Sequence, residues 1–245
     1  MTRPPAKRVK AYHDLEFINS RDARALRILA EYLEPKSRFE EHGLDDTIVF
    51  FGSARATPDS KYYAAARALA FRLTQWSKGL GSNARRFVFT TGGGPGIMEA
   101  ANRGASEARG ITAGIGISIP VEQHDNAYIT RGLSFHFHYF FMRKFWFAYL
   151  AKAMVAFPGG FGTLDELFEA LTLVQTRKMK KPMPIVLFGT AYWNEVINFD
   201  ALVRHGTISP EDLGLFHRTD SVDEAFDWVV KQLSEHALAQ PGATL

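Results

Sequence analysis

The sequence predicts an α/β fold in which a doubly wound parallel sheet carries helices on both faces. Two observations support this prediction. Apolar, strand-like segments alternate with helix-like segments along most of the chain, as expected of repeated strand–helix units joined by right-handed crossovers. Several strand-like segments, including 47–54, 153–158 and 183–189, are continuous apolar runs. Such runs are typical of parallel strands that helices cover on both faces.

The individual elements follow one another in regular order. Strands are predicted at 47–54, 86–93, 111–120, 133–140, 153–158, 183–189 and 214–220. Helices are predicted at about 59–78, 96–109, 142–152, 163–178 and 221–233, with a further helix after the sixth strand. Glycine, proline and serine residues separate these segments, so each strand-like run stops at a turn signal before the helical periodicity begins.

An N-terminal extension of residues 1–45 precedes the α/β domain, which we place at 46–240. Residues 1 to about 12 are predicted to be disordered. From Ser20 the sequence has the pattern of an amphipathic helix, with a serine cap at its start and Pro35 at its end. The apolar positions of this helix are Leu26, Leu29, Ala30 and Leu33.

The composition is that of an ordinary globular protein. Its 245 residues are 46% hydrophobic and 22% charged, which suffices for one large domain with a buried core. The net charge of +3 suits an anionic small molecule and does not indicate nucleic acid. The chain has no cysteine for a disulfide or a thiolate metal site. With a polar N-terminus and no membrane-spanning pattern, we expect a cytoplasmic protein without membrane or nucleic-acid partners.

Three turns that follow predicted strands are rich in glycine. They contain Gly52 and Ser53, then Gly92, Gly93 and Gly94, and finally the segment from Gly159 to Thr163. Ligands of doubly wound sheets bind beyond the carboxyl ends of the strands. Glycine lets the backbone approach a ligand, and the amides at the following helix N-terminus attract an anion. We therefore expect a phosphate-bearing ligand, with mere compactness of the turns as the alternative.

The glycine spacing narrows the kind of phosphate ligand. The dinucleotide pattern G-x-G-x-x-G fails at both candidate turns, because Ile97 and Asp165 stand where its last glycine belongs. The P-loop pattern G-x-x-x-x-G-K-[ST] is absent as well. A mononucleotide therefore fits better than a dinucleotide or an ATPase substrate.

Three motifs resemble those of the Lonely Guy family, long described as possible lysine decarboxylases. They are GGGPGIMEAANRGA at 92–105, MRK at 142–144 and PGGFGTLDELFEALT at 158–172. The resemblance extends from about Thr47 to the end of the chain. It implies a Rossmann-like fold and cleavage of the N-glycosidic bond of a nucleoside 5′-monophosphate, which releases free base and ribose 5-phosphate. It also implies that no metal or organic cofactor is needed and that the protein is a homodimer or higher homo-oligomer.

The resemblance assigns roles to individual residues. Glu166 matches the catalytic glutamate of the motif P-G-G-x-G-T-x-x-E, and Arg143 matches the arginine that works with it. Lys144 matches a substrate contact. Thr172, one helical face down from Glu166, and Glu122, in a looser register, match further binding positions. The predicted binding set also includes Gly52, Ser53, Gly92, Gly93, Gly94, Gly159, Gly160, Phe161, Gly162, Thr163 and Asp165.

This assignment agrees with the chemistry of glycosidic cleavage. The sugar becomes oxocarbenium-like, and a carboxylate such as Glu166 can stabilise it or activate water. Arg143 can hold the phosphate or polarise the departing base. Glu99 stands where the plant-type enzymes tend to have glycine, so we expect activity on AMP-like nucleotides rather than specificity for cytokinin nucleotides.

Alternatives accompany each of these interpretations. A glutamate in a first helical turn can simply complement the helix dipole, and Arg143 could be a surface or interface arginine. The alternative function is a non-catalytic carrier of a nucleotide or phosphorylated cofactor. His136 and His138 share one face of a strand, but only the distant His124 could join them, so we predict packed or solvated histidines and no metal.

Overall fold

The computed structural model describes residues 9–81, 85–118 and 125–242, and within these ranges seven strands form one sheet. The strands are β1 (Thr47–Phe51), β2 (Val88–Thr91), β3 (Thr112–Ile117), β4 (Ser134–Phe137), β5 (Ala151–Ala156), β6 (Ile185–Phe188) and β7 (Phe216–Thr219). The helices are α1 (Leu15–Asn19), α2 (Arg24–Glu41), α3 (Lys61–Gly79), α4 (Ile97–Glu107), α5 (Phe140–Leu150), α6 (Phe161–Gln175), α7 (Thr190–Val196), α8 (Phe199–Arg204) and α9 (Val222–His236). Short 3₁₀ helices lie at Ala11–His13 and Pro210–Leu215.

The sheet is doubly wound, as predicted. Its strand order is β4-β3-β2-β1-β5-β6-β7, and every neighbouring pair is parallel. The chain builds outward from β1 to β4, returns through α5 to β5 on the other side of β1, and builds outward again. The direction of winding therefore reverses between β1 and β5. In folds of this kind the ligand site lies beyond the carboxyl ends of the strands at this reversal.

Two hydrophobic clusters cover the two faces of the sheet. One contains residues of α3, α4 and α9, such as Leu69, and the other contains residues of α2, α5 and α6, such as Trp146. Successive residues of β1, Ile48 and Val49, belong to opposite clusters. This explains why β1 is a continuous apolar run, since both of its faces are buried.

Helix α2 is longer than predicted, and Pro35 lies inside it instead of ending it. The helix begins at Arg24 after Ala23, so Ser20 is not its cap. A proline inside a helix leaves the carbonyl four residues earlier without its usual donor. Here that carbonyl belongs to Glu31, and the indole N–H of Trp146 donates to it at 3.0 Å. A donor from another helix thus replaces the missing hydrogen bond.

The apolar positions predicted for α2 lie on its outward face. Leu26, Leu29 and Leu33 are each 50% exposed, and Ala30 is exposed as well. The buried positions are Pro35 and Phe39, with Ile28 and Tyr32 packed against the same cluster. Helix α2 thus has two apolar stripes, and the pattern identified the one that faces outward.

The end of α5 also differs from its prediction. The helix expected near 142–152 lies at 140–150, and Lys152 belongs to β5. Lys152 is almost completely buried, and its amine donates to the carbonyl oxygen of Gln240 at 3.0 Å. Strand pairing of Ala151 with Thr47 favours the extended conformation there. Of the predicted disordered segment, residues 1–8 lie outside the described residues.

Helix α2 holds the N-terminus of α5. The carboxylate of Glu31 accepts hydrogen bonds from the backbone N–H groups of His138, at 2.7 Å, and Tyr139, at 3.1 Å. Tyr139 is the residue before α5, so a negative charge sits at the positive end of that helix. Along α5, the Trp146 ring packs on the rings of Tyr32 and Phe39. The extension is therefore part of the folded unit. Among the described helices, none is long and apolar enough to cross a membrane.

We expect Glu31→Ala to lower the free energy of unfolding by about 1–2 kcal/mol, because it removes a helix cap and its dipole interaction. The control is Glu40→Ala on the same helix, which removes an exposed ion pair with Lys36 and should cost less than about 0.5 kcal/mol. Urea unfolding of both variants measures the difference. Equal stabilities of the two variants would contradict a capping role for Glu31.

Candidate active site

The three predicted glycine turns meet at one edge of the sheet. The turn after β1 contacts both of the other turns. The backbone N–H of Ser53 donates to the carbonyl of Pro158 at 2.9 Å, and the carbonyl of Ser53 accepts from the backbone N–H of Ile97 at 3.0 Å. These contacts join the ends of β1, β2 and β5 at the winding reversal. The starts of α4 and α6 are thereby brought side by side.

The glycines of these turns have different roles. A Cβ on Gly52 would lie 2.7 Å from the Ile97 side chain, and one on Gly159 would lie 3.0 Å from the Gly52 backbone and collide with Thr163. Gly96, which the predicted set did not include, packs equally closely against the backbone of Ser53. These glycines permit close packing of the turns. A Cβ on Gly160 or Gly162 would instead meet open space.

Glycines of the second turn line a small cavity, which we call the glycine cavity. Its volume is about 120 Å³. The lining residues are Gly92, Gly93, Gly94, Met98, Gly116, Ile117, Asp125, His136 and Arg143. Sequence reasoning missed Gly116 and Asp125, and it treated His136 as a packed or solvated histidine, not as part of the ligand site. Their signal was weak, because the pairing of β3 with β4 places Gly116 beside His136, and contacts with Ser134 and His136 hold Asp125 there.

Arg143 and Glu166, the two predicted catalytic residues, lie together in the structure. Arg143 is on α5 and Glu166 on α6, and the guanidinium Nη2 lies 3.8 Å from the carboxylate Oε1. Both side chains are largely buried, with 13% and 5% of their surfaces exposed. Within the described residues, neither Arg143 Nε nor Glu166 Oε1 has a hydrogen-bond partner. Buried polar atoms are normally paired, so these two are available to a ligand or water.

Burial also alters the protonation of this pair. Desolvation raises the pKa of Glu166 to about 7, and the nearby charges of Arg143 and Lys144 offset only part of that increase. Desolvation lowers the pKa of Arg143, against the opposing effects of Glu166 and Asp165. A guanidinium nevertheless stays protonated in proteins. The site thus combines a fixed cation with a carboxyl group that exchanges its proton near neutral pH.

The neighbouring Lys144 is already paired. Its amine lies 2.9 Å from a carboxylate oxygen of Asp165 and 2.9 Å from one of Glu169. Two effects oppose each other at Lys144: partial burial acts to lower its pKa, and the hydrogen bonds to Glu169 and Asp165 act to raise it. The hydrogen bonds prevail, and the net pKa is raised. Lys144 and Asp165, two of the predicted binding residues, therefore interact with each other at the margin of the site. They do not face the glycine cavity.

The N-terminus of α6 is open on one side. Gly160 precedes the helix, and Phe161, its first residue, is 92% exposed. Thr163 is buried against Gly159, so its hydroxyl supports the turn. The open space at Gly160 and Gly162 leaves room for an anion at the positive end of this helix.

Thr172 was predicted to lie on the same helical face as Glu166, but it does not. Six residues of helix separate the two and rotate Thr172 to a different, exposed face. It lines a shallow groove of about 540 Å³ together with Lys144, Phe161, Leu164, Asp165, Phe168, Glu169 and Leu173. Glu122, the remaining predicted binding residue, lies outside the described residues, as does His124. The described residues contain no cluster of three potential metal ligands around His136 or elsewhere.

The raised pKa of Glu166 predicts a pH-dependent stability. The ordinary pKa of a glutamate is 4.5, and that of Glu166 in the folded protein is about 7. Between these two pH values, Glu166 keeps a proton in the folded protein that it releases in the unfolded chain. The free energy of unfolding should therefore fall across this window as the pH rises, by roughly 3 kcal/mol at most. Glu166→Gln removes this contribution, so its stability relative to wild type should improve from about pH 5 to pH 8.

Urea unfolding at both pH values measures the effect. The control is Glu169→Gln on the same helix, which keeps the Glu166 carboxyl and should follow the wild-type dependence. If Glu166→Gln also followed it, the carboxyl group would not be held in the buried environment described above.

Comparison with known proteins identifies the family. Residues 98–229, more than half of the chain, match the family model described as "Possible lysine decarboxylase". Among curated relatives, cytokinin riboside 5′-monophosphate phosphoribohydrolase LOG3 of Arabidopsis thaliana is 35% identical over 96 residues, 39% of this chain and 42% of that protein. LOG7 of the same plant is 36% identical over 95 residues, which cover 38% of this chain and 42% of LOG7. The chain thus spans less than half the length of these relatives.

Solved structures share the fold. The Moco carrier protein of Chlamydomonas reinhardtii superposes with a TM-score of 0.52 at 22% identity, covering 78% of this chain and 99% of that one. The X-ray structure of TM1055 gives 0.51 at 22% identity, covering 76% and 99%. With its family model matched over more than half of its length, this chain belongs to the possible lysine decarboxylase family, which is the Lonely Guy family that its motifs resemble.

Proposed function

We propose that this protein is a phosphoribohydrolase that cleaves nucleoside 5′-monophosphates, AMP or cytokinin riboside monophosphates, to free base and ribose 5-phosphate. The observation that carries the proposal is the buried pair of Arg143 and Glu166 beside the glycine cavity, each with an unpaired polar atom. The names of the curated plant relatives support this substrate class. The proposed setting is the cytoplasm.

Glu166 is the proposed centre of the reaction. As a carboxylate it stabilises positive charge that develops on the ribose, or takes a proton from the attacking water. Its pKa of about 7 suits a group that must both hold and release a proton near neutral pH. Water or substrate at Oε1 satisfies an oxygen that has no partner among the described residues.

Arg143 and the start of α6 supply the electrostatic part of the mechanism. The guanidinium keeps a positive charge beside Glu166, where it can contact the phosphate or the departing base. The phosphate itself fits the open backbone at Gly160 and Gly162, at the positive end of a 15-residue helix. Binding at these two points holds the glycosidic bond next to the carboxylate.

The lysine decarboxylase activity in the family description is a different chemistry. Pyridoxal phosphate supplies it through a Schiff base with a lysine. The amine of Lys144 is held by two carboxylates. Lys181 has a pKa lowered by burial to about 7, but it lies at the other end of the sheet and donates to the carbonyls of Ala148 and Tyr149. Neither lysine therefore fits a Schiff base with that cofactor.

The proposed enzyme is a homodimer or higher homo-oligomer. An apolar groove of about 580 Å³ lies between α2 and α5 and is lined by Ala25, Ile28, Leu29, Tyr32, Phe141, Met142 and Phe145. Leu29 and Phe141 are about half exposed, as are Leu26 and Leu33 on the same side of α2. Apolar surface of this kind usually marks an interaction site.

We expect the mass in solution to be that of two or more chains, and Leu29→Lys to shift it toward one chain, since the change places a charge in the groove. Val196→Lys, at an exposed apolar position outside the groove, is the control. Light scattering after gel filtration measures both. A wild-type mass of a single chain would contradict the proposed assembly.

We expect wild-type protein to release adenine from AMP, and Glu166→Gln to lower kcat about a hundredfold to ten-thousandfold because it removes the carboxylate. Arg143→Ala should lower it about a hundredfold or more by removing a fixed positive charge. Chromatography of the released base measures both effects. Glu169→Gln, which keeps the buried pair, is the control and should stay within a few-fold of wild type.

The same measurement separates the enzyme from the alternative function. Nucleotide that binds stoichiometrically to wild-type protein with no release of base would indicate a non-catalytic carrier of a nucleotide or phosphorylated cofactor. Full activity of Glu166→Gln would leave the hydrolase but refute the role given to Glu166.

A further inference from the structure

The end of the glycine cavity away from Arg143 carries a cluster of polar side chains. Asp125 and His136 line the cavity there, and Ser134 lies next to them. One carboxylate oxygen of Asp125, Oδ2, accepts a hydrogen bond from the Ser134 hydroxyl and lies 3.1 Å from His136 Nε2. Both partners belong to β4, so they fix the orientation of the carboxylate.

This arrangement turns the second oxygen of Asp125 toward the cavity. Oδ1 lies 3.5 Å from the position that a Cβ on Gly93 would occupy. Within the described residues, the hydrogen bonds of Asp125 go to Oδ2. A carboxylate oxygen that faces a cavity, with its partner oxygen held by two groups, is an oriented acceptor for a ligand N–H or O–H.

The cavity is continuous from this acceptor to Arg143. Its floor is bare because Gly92 and Gly116 have no side chains. A Cβ on Gly116 would lie 3.6 Å from His136 Nδ1, and one on Gly92 would lie 3.7 Å from Arg143 Nη2. The floor thus runs between the polar cluster and the arginine of the buried pair. A ligand group that fills it contacts Arg143 at one end and Asp125 at the other.

We propose that Asp125 determines substrate specificity by accepting a hydrogen bond from a donor group of the bound nucleotide, with Ser134 and His136 as its positioning residues. The proposal rests on the proposed function. The carboxylate disfavours a phosphate at this end of the cavity, and the open N-terminus of α6 accommodates the phosphate better. The donor is therefore the exocyclic amino group of the base or a hydroxyl group of the ribose.

Binding to variants in a Glu166→Gln background, which prevents turnover, tests the proposal. Calorimetry compares AMP with purine riboside 5′-monophosphate, which lacks the amino group, with IMP, which has an acceptor in its place, and with 2′-deoxy-AMP. Loss of a hydrogen bond to a charged group weakens binding by about tenfold to a hundredfold. We expect a loss of this size for purine riboside monophosphate and IMP.

Asp125→Asn gives the decisive comparison. With its amide oxygen held by Ser134 and His136, the variant presents an N–H group to the cavity, so its preference for AMP over IMP should disappear or reverse. The control Asp212→Asn also removes a carboxylate that accepts two hydrogen bonds, here from Ser209 and Gln175 outside the cavity, and should keep the wild-type preference. If Asp125 had only a structural role, Asp125→Asn would weaken the binding of all the nucleotides by the same factor.

His136 is tested as a positioning residue by two variants. His136→Gln retains a donor toward Asp125 and should keep the AMP preference, whereas His136→Ala should reduce it severalfold. A loss confined to 2′-deoxy-AMP that Asp125→Asn abolishes would also support the proposal, with the ribose as donor. Unchanged ratios in Asp125→Asn would overturn it. Failure of wild-type protein to release base from AMP would instead refute the proposed function.

Discussion

Close backbone packing at the winding reversal is the constraint on which the site depends. The turns after β1, β2 and β5 touch because Gly52, Gly96 and Gly159 have no side chains at their contact points. A Cβ at any of these three positions would overlap a neighbouring turn or its supporting side chain. The packing brings the N-termini of α4 and α6 together, and with them the glycine cavity and the open backbone at Gly160. Some glycines of these turns therefore permit close packing, and others leave space for a ligand.

The buried pair of Arg143 and Glu166 combines stability and chemistry in one contact. Removing both charges from water is unfavourable, and an ion pair at 3.8 Å with unpaired polar atoms compensates only in part. The protein therefore carries a carboxyl group that ionises near neutral pH and an arginine held next to it. Such a pair contributes little to folding, which is consistent with retention for binding or catalysis.

The N-terminal extension contributes to the position of this pair, although the family model begins at residue 98. Helix α2 caps α5 through Glu31 and packs on Trp146, and α5 carries Arg143. The core face of α2 thereby supports the site. Its second apolar stripe, around Leu29, remains exposed and forms one wall of an apolar groove.

The sequence by itself determined the fold class and the glycine-rich turns after three of the strands, and its motifs singled out Arg143 and Glu166. Continuous apolar runs indicate strands that are buried on both faces. The motif around Glu166 can be recognised because its residues are adjacent in the sequence. The tertiary structure decided what depends on distant partners. Pro35 is tolerated within a helix because Trp146 supplies the missing donor. Residues 151 and 152 join a strand because Ala151 pairs with Thr47, and a carbonyl of Gln240 accepts from the buried Lys152 amine. His136 reaches the cavity through the pairing of β4 with β3, and Asp125 through its contacts with Ser134 and His136, none of which a local sequence pattern predicts.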